Sequence, residues 1–275
     1  MIRQHNCCTR SARRGKICIQ TAQSDKLKMT YRIITIPQLD ERMTEHDQLA
    51  LAHKFREFRL LALKTAPGAY ASSYEDEVKR GLDHTFERLR HAKATQFVAL
   101  ARSAFPPTKN QVREADIDDL LNHDWLGFIV LIGLEGGLGS VSAKADPFSQ
   151  IARDSSSNGT AQEMHSNDAM RFHLNGMFVS PSARRCGMGA RLIEAALDRS
   201  RLMSEKSSYG LHCTIIVDEW NHAAIKLYQR VGFEIVAKES YGEDRIALRM
   251  ELSRVGAAGG GVAACADREA HTVIS

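Results

Sequence analysis

Between Val179 and Ile193 an apolar strand end gives way to a basic loop with two glycines, Gly187 and Gly189, and then to a helix with apolar residues on one face. This junction constrains the fold, because it carries a strand into a helix through a turn that exposes main-chain N–H groups. The first N–H groups of a helix have no intrahelical partner, and the helix dipole adds partial positive charge there. Glycine at 187 and 189 removes side chains that would keep a phosphate away from those groups. Arg184, Arg185 and Arg191 add full positive charge. The junction therefore reads as an anion site. A dinucleotide-binding turn fits poorly, since the frame starting at Gly187 lacks the third glycine of G-x-G-x-x-G. Acidic stand-ins at Asp198 and Glu205 fall in or just after the helix rather than at the end of a second strand.

The next segment narrows the ligand. Leu211 to Val217 is an apolar run of strand length, broken by Asp218-Glu219-Trp220-Asn221, with Asn221 placed to cap a helix. Ala223 to Arg230 reads as that helix, Gly232 as its C-terminal stop, and Phe233 to Val236 as a returning strand. On these residues the chain resembles the GCN5-related N-acetyltransferase (GNAT) superfamily. Its R-x-x-G-x-G signature matches Arg184, Gly187 and Gly189. The downstream N-x-x-A-x-x-L-Y-x-x-x-G-F signature matches Asn221, Ala224, Leu227, Tyr228, Gly232 and Phe233 without a gap.

The N-terminal part carries a softer likeness. Arg59, Ala62-Leu63, Pro67, Ala69-Tyr70, Ser72-Ser73 and Glu75 are similar to an opening found in small-molecule members of the family, with Tyr70 where those have phenylalanine. Around it the pattern predicts a strand at 31–36 and one helix or two over 40–63. Ser72 or Ser73 caps a helix that starts with acid and runs on towards His91. Strands follow at 96–101, 124–134 and 172–179, and a final hairpin joins 233–238 to 245–252 around 241–244. The resemblance implies an α/β (α+β) GNAT fold: a mixed, mostly antiparallel twisted sheet flanked by helices and splayed between the fourth and fifth strands.

Composition sets the limits of this domain. With 275 residues and 43% hydrophobic content, one folded domain over 29–253 is expected. A basic disordered extension would precede it at 1–28, and a glycine- and alanine-rich disordered tail would follow at 254–275. Residues 136–169 read as a flexible insertion, either a surface loop or a lid over the acceptor. No run reaches the ~18 apolar residues of a membrane span. The net charge of +4 is local, because residues 1–28 hold seven Lys/Arg against one acid, leaving −2 for the rest. That balance argues against nucleic acid as a partner. The arginine-rich start has features of a mitochondrial import signal, but Met29 offers a second start and the cytoplasm is the expected compartment. Six cysteines (7, 8, 18, 186, 213 and 265) show no zinc spacing and read as free thiols, and no metal is expected.

The resemblance also implies a mechanism. Acetyl-CoA would lay its pyrophosphate on the main chain of Arg185, Cys186, Gly187, Met188, Gly189 and Ala190, with Arg184 alongside. Main-chain N–H groups of Met177, Phe178 and Val179 would meet the pantetheine arm, and one would polarise the thioester carbonyl. Asn221 would hydrogen-bond pantetheine, and Tyr228 would protonate the departing thiolate. An alkylammonium with a pKa of about 10 has to lose a proton before it attacks. His173 is the candidate base, with Asp218, Glu219 and Glu135 as further candidates. The acceptor is expected to be a small-molecule amine, and the protein a monomer or homodimer. Two other readings stay open: acetylation of protein N-termini or lysines, and a catalytically silent acyl-CoA sensor.

Overall fold

A computed structural model of the chain describes residues 30–40, 43–101, 117–134, 169–206, 210–241 and 245–254. The N-terminal extension, nearly all of the 136–169 insertion, the 242–244 turn, the C-terminal tail, Glu135 and cysteines 7, 8, 18 and 265 lie outside the described residues.

Seven strands form one sheet. They are β1 (Tyr31–Thr35), β2 (Ala94–Ala101), β3 (Trp125–Leu134), β4 (Ala169–Val179), β5 (Gly210–Asp218), β6 (Glu234–Tyr241) and β7 (Arg245–Arg254). Their order is β1-β2-β3-β4-β5-β7-β6, and every neighbouring pair is antiparallel except β4 with β5. A parallel pair needs a crossover. That crossover is the helix α5 (Met188–Lys206), entered through the loop 180–187.

The other helices are α1 (Glu45–Thr65), α2 (Tyr74–Lys79), α3 (Asp83–Arg90), α4 (Ile117–Asn122) and α6 (His222–Val231). Ser73 caps α2 through the N–H of Asp76, as its position before Glu75-Asp76-Glu77 suggested. The expected single helix towards His91 is two, because the chain turns at Gly81 (φ 70°) between α2 and α3.

Both faces of the sheet are covered, which is why β2 and β3 read as near-continuous apolar runs rather than alternating ones. On one face Phe97, Ala99, Ile129 and Leu131 pack with Leu192, Ile193, Ala196 and Leu197 of α5. On the other, Val98, Leu100, Phe128 and Val130 pack with Leu51, Phe55 and Phe58 of α1. Phe55 and Phe58 meet Trp125 and Phe128 edge to face.

The sheet splits in its middle. The parallel pairing of β4 with β5 stops at Leu174 opposite Ile215, while β4 runs on to Val179 and β5 to Asp218. Just past that point β4 bulges: Asn175 lies opposite Val130 and Phe178 opposite Phe128, so Gly176 and Met177 together face Ile129. Gly176 has φ 63°, a conformation glycine adopts without side-chain cost. The bulge bends β4 away from β5 and opens the cleft that the remaining features surround.

Candidate active site

The cleft between the separated ends of β4 and β5 has a volume of about 1310 Å³. Its walls come from β4 and β5, the start of α5, α6, and the loop of residues 66–72 that follows α1. One edge of β4 is the key element. Ser180 N–H bonds the carbonyl of Leu126, so even-numbered residues at this end of β4 turn their main chain towards β3. Met177 and Val179 turn theirs the other way, into the cleft. Both of their carbonyls are taken within the chain: Tyr70 Oη donates to Met177 O at 3.1 Å and Arg184 Nε donates to Val179 O at 2.9 Å. What this edge offers a ligand is therefore N–H donors. Phe178, grouped with them from the sequence, has its main chain paired towards β3 and its ring buried against Phe58.

The loop after β4 has the conformation the sequence suggested, for partly different reasons. Arg185 (φ 67°) and Gly187 (φ 82°) are both left-handed, which turns successive N–H groups outward ahead of α5. A Cβ on Gly187 would meet nothing, so there the backbone angle demands glycine. At Gly189 packing is the reason: a Cβ would lie 2.8 Å from Met177 Cε and 2.9 Å from Leu227 Cδ2. Arg184, Arg185 and Cys186 are exposed, and Cys186 Sγ donates to the carbonyl of Ala183. Met188 points its side chain into the core, while Ala190 is half-buried on the first turn of α5.

Two side chains of the second signature reach the cleft from α6. Asn221 caps the helix by accepting from the N–H of Ala224. Tyr228 is 5% exposed, packs edge to face on Phe233, and donates its hydroxyl to Met177 Sδ at 3.5 Å. Burial pushes its pKa well above the ordinary tyrosine value, and nearby Tyr70 adds to the rise. The phenol thus holds its proton throughout the neutral range.

His173 lies deeper, on the last paired stretch of β4, and is 2% exposed. Thr214 Oγ1 lies 2.9 Å from His173 Nδ1 and donates to Phe172 O at 3.3 Å. Burial lowers the pKa of His173 to about 4. Asp218 is buried at the end of β5, where it accepts from the Tyr241 hydroxyl and pairs with Arg245. That environment, burial first and the Asp218 bond next, raises the pKa of Tyr241. Glu219 pairs with Lys238 on the surface.

Several features of the cleft are invisible in the motifs. Arg245 Nη2 also donates to Gly68 O at 2.5 Å, and Nη1 to Tyr70 O at 3.4 Å, tying the 66–72 loop to β5 and β7. Trp220 lies over Gly68. Arg59 sits over the Tyr70 ring with its guanidinium carbon 5.2 Å from the centroid. The one available sequence signal was Gly176 inside a strand, which marks a bulge.

A split parallel pair, inward-facing N–H donors, a glycine loop at a helix start and a buried phenol meet in one cleft. Residues 95–233, half of the chain, match the model of the acetyltransferase (GNAT) family. The chain belongs to the GNAT acetyltransferase family. Peptidyl-lysine N-acetyltransferase YjaB of Escherichia coli is 32% identical to this GNAT protein over 66 residues, which is 24% of this chain and 38% of YjaB. Among solved structures, Arabidopsis thaliana NAA60 in complex with a bisubstrate analogue is similar at 14% identity and a TM-score of 0.44, covering 81% of this chain and 99% of that one. A GCN5-related N-acetyltransferase from Kribbella flavida is similar at 16% identity and 0.42, covering 81% and 96%. Among the described residues no group of three or more His, Cys, Asp or Glu is arranged to hold a metal ion.

Proposed function

We propose that this GNAT protein moves an acetyl group from acetyl-CoA to the amine of a small molecule by direct attack, with both substrates bound in the cleft. The observation that carries the reading is the open edge of β4, where the carbonyls of Met177 and Val179 are occupied by Tyr70 and Arg184 and the Met177 sulfur meets the Tyr228 hydroxyl. The cleft suits the donor along its length. The first N–H groups of α5, with Arg184 and Arg185 nearby, suit a pyrophosphate. The amide end of Asn221, whose carbonyl end caps α6, suits a pantetheine amide.

Acetyl-CoA supplies an acetyl group already activated as a thioester. The N–H groups of Met177 and Val179 stabilise the charge that develops on the carbonyl oxygen as the neutral amine attacks. Tyr228 gives its proton to the sulfur as the carbon–sulfur bond breaks. The attacking nitrogen loses one proton as its bond to carbon forms, and that proton restores Tyr228 directly or through water. An acceptor that arrives as an ammonium releases one further proton to solvent. Because burial lowers its pKa to about 4, His173 is a weak base at neutral pH, and with Nδ1 on the Thr214 hydroxyl we assign it to holding β4 against β5.

The reading of a small acceptor is supported by the bridges of Arg245 to Gly68 and Tyr70 and by Trp220 over Gly68, which join the loop to the β5–β7 side. On this reading a small amine enters beneath them, and a peptide would have to displace them. The likeness to YjaB, whose name specifies peptidyl-lysine, favours a second reading in which the amine is a protein lysine. Incubating the protein with acetyl-CoA and a panel of polyamines, amino acids and lysine peptides, and following free thiol, separates the two. Small amines should release thiol faster than peptides; preference for peptides supports the second reading. Tight binding of acetyl-CoA with no acceptor-dependent thiol release makes the protein a sensor. Tyr228→Phe should slow turnover at least about tenfold at unchanged CoA affinity.

A further inference from the structure

We propose that Tyr70 is a positioning residue for acetyl transfer: its hydroxyl holds the carbonyl of Met177 so that the open edge of β4 stays aimed at the thioester. This inference rests on the reading of the cleft as the acetyl-transfer site. It begins with the hydroxyl itself, which Tyr70 donates at 3.1 Å to a main-chain carbonyl in the cleft wall. Packing needs only the ring, so the hydroxyl calls for a role of its own.

The hydroxyl reaches across 107 positions of sequence to one of the two residues where the ladder of β4 to β3 is interrupted. At Gly176 and Met177 the ladder to β3 is interrupted, and the ladder to β5 has already ended at Leu174. No strand fixes the carbonyl of Met177. Tyr70 takes the place of the missing ladder partner.

Direction matters here. An unpaired carbonyl on this edge would aim its negative end at the same space as the developing negative charge on the substrate oxygen. It would oppose the N–H groups beside it. A phenol has one proton, and Tyr70 gives it to Met177 O, which weakens that opposing dipole and fixes the intervening backbone angles.

The tyrosine is itself held on two sides. The Arg59 guanidinium lies over its ring, and Arg245 Nη1 bonds its own carbonyl. Desolvation raises the pKa of the phenol to about 12, so the proton it donates persists at every pH where the enzyme would work. Tyr228 reaches Met177 from α6, through the side-chain sulfur. One residue of β4 is therefore pinned by a phenol at its carbonyl and contacted by a second at its thioether.

The test is Tyr70→Phe, read first without turnover. Acetyl-CoA carrying a carbon-13 label at the thioester carbonyl is bound to the full chain, and the carbonyl stretch is compared with that of the free thioester by difference infrared spectroscopy. In the unmodified protein the band should move to lower frequency. In Tyr70→Phe it should return at least half-way to the free position, while the affinity for CoA stays within twofold. With the amine turned over fastest in the panel, kcat should fall about tenfold, less than the loss of a direct oxyanion donor, at nearly unchanged KM for both substrates. A band shifted equally in both proteins, with kcat within twofold, overturns the role of Tyr70 and leaves the site standing. A band that never shifts in the unmodified protein overturns both. A variant that unfolds on a thermal scan, or loses CoA binding, assigns Tyr70 to the fold and also overturns the proposal.

Discussion

Nδ1 of His173 lies 2.9 Å from the hydroxyl of Thr214, its register partner across the last parallel pairs before β4 and β5 separate. The pair closes the inner end of the cleft, where burial keeps the imidazole neutral. With a pKa near 4 in the folded state against about 6.5 unfolded, the unfolded chain binds more protons between those values. Stability should therefore fall as pH drops from about 6.5 to 4, by on the order of 3 kcal/mol from this residue. Urea unfolding at pH 7 and pH 4.5 checks this: His173→Gln should lose less on acidification than the unmodified protein. Turnover should show no limb, at pH 4 or above, that His173→Gln removes; such a limb would return His173 to the role of base.

Much of this site was legible because its signals are local. Asn221 and Gly232 mark the ends of α6 through their own backbone preferences, and each sits where its residue type predicts. The separation of β4 from β5 followed from the family resemblance, not from any residue in the strands. What the sequence hid are contacts between distant segments. Arg245 meets Gly68 across 177 positions, and nothing near either residue hints at the other. At Gly189 the structure adds a reason that the motif does not carry, since the missing side chain makes room for Met177 and Leu227.

The two loop glycines should fail differently when changed to alanine. Gly187→Ala forces a left-handed alanine at φ 82° and should cost about 1–2 kcal/mol. The loop then relaxes and CoA affinity drops, with the core untouched. Gly189→Ala adds a methyl group against Met177 and Leu227 and should cost about 1–3 kcal/mol by overpacking. Leu227→Val in that background should restore part of the stability, and should do nothing for Gly187→Ala. Denaturant unfolding together with CoA titration distinguishes the two.

Trp220 and Trp125 are the two tryptophans of the chain, and they occupy opposite environments. Trp220 is 54% exposed at the rim of the cleft, while Trp125 is buried among Phe55 and Phe58. Ligand entering the cleft should change the emission of Trp220 alone. Titration with acetyl-CoA should shift or quench fluorescence in the unmodified protein, and Trp220→Phe should abolish the response at unchanged affinity by calorimetry. A response that survives in Trp220→Phe would mean that binding reaches the α1 face of the sheet.

Arg245 and Asp218 make the most exacting test of how the cleft is held together. Asp218 is buried and paired with Arg245, whose side chain is about one-third exposed and also spans to the carbonyls of Gly68 and Tyr70. Arg245→Met leaves a buried carboxylate with the Tyr241 hydroxyl as its remaining side-chain partner among the described residues. The loss for a fully buried pair would be about 3–5 kcal/mol, and solvent around Arg245 brings the expected cost to about 1–3 kcal/mol. Asp218→Asn removes the stranded charge, so the double variant should be more stable than Arg245→Met alone, a coupling that a double-mutant cycle by urea unfolding measures. Function should not recover with stability. The 66–72 loop stays untied in both, so kcat/KM for the amine should remain low in the double variant. Joint recovery of stability and activity would show that Arg245 serves only to neutralise Asp218 and that its bonds to the loop are incidental.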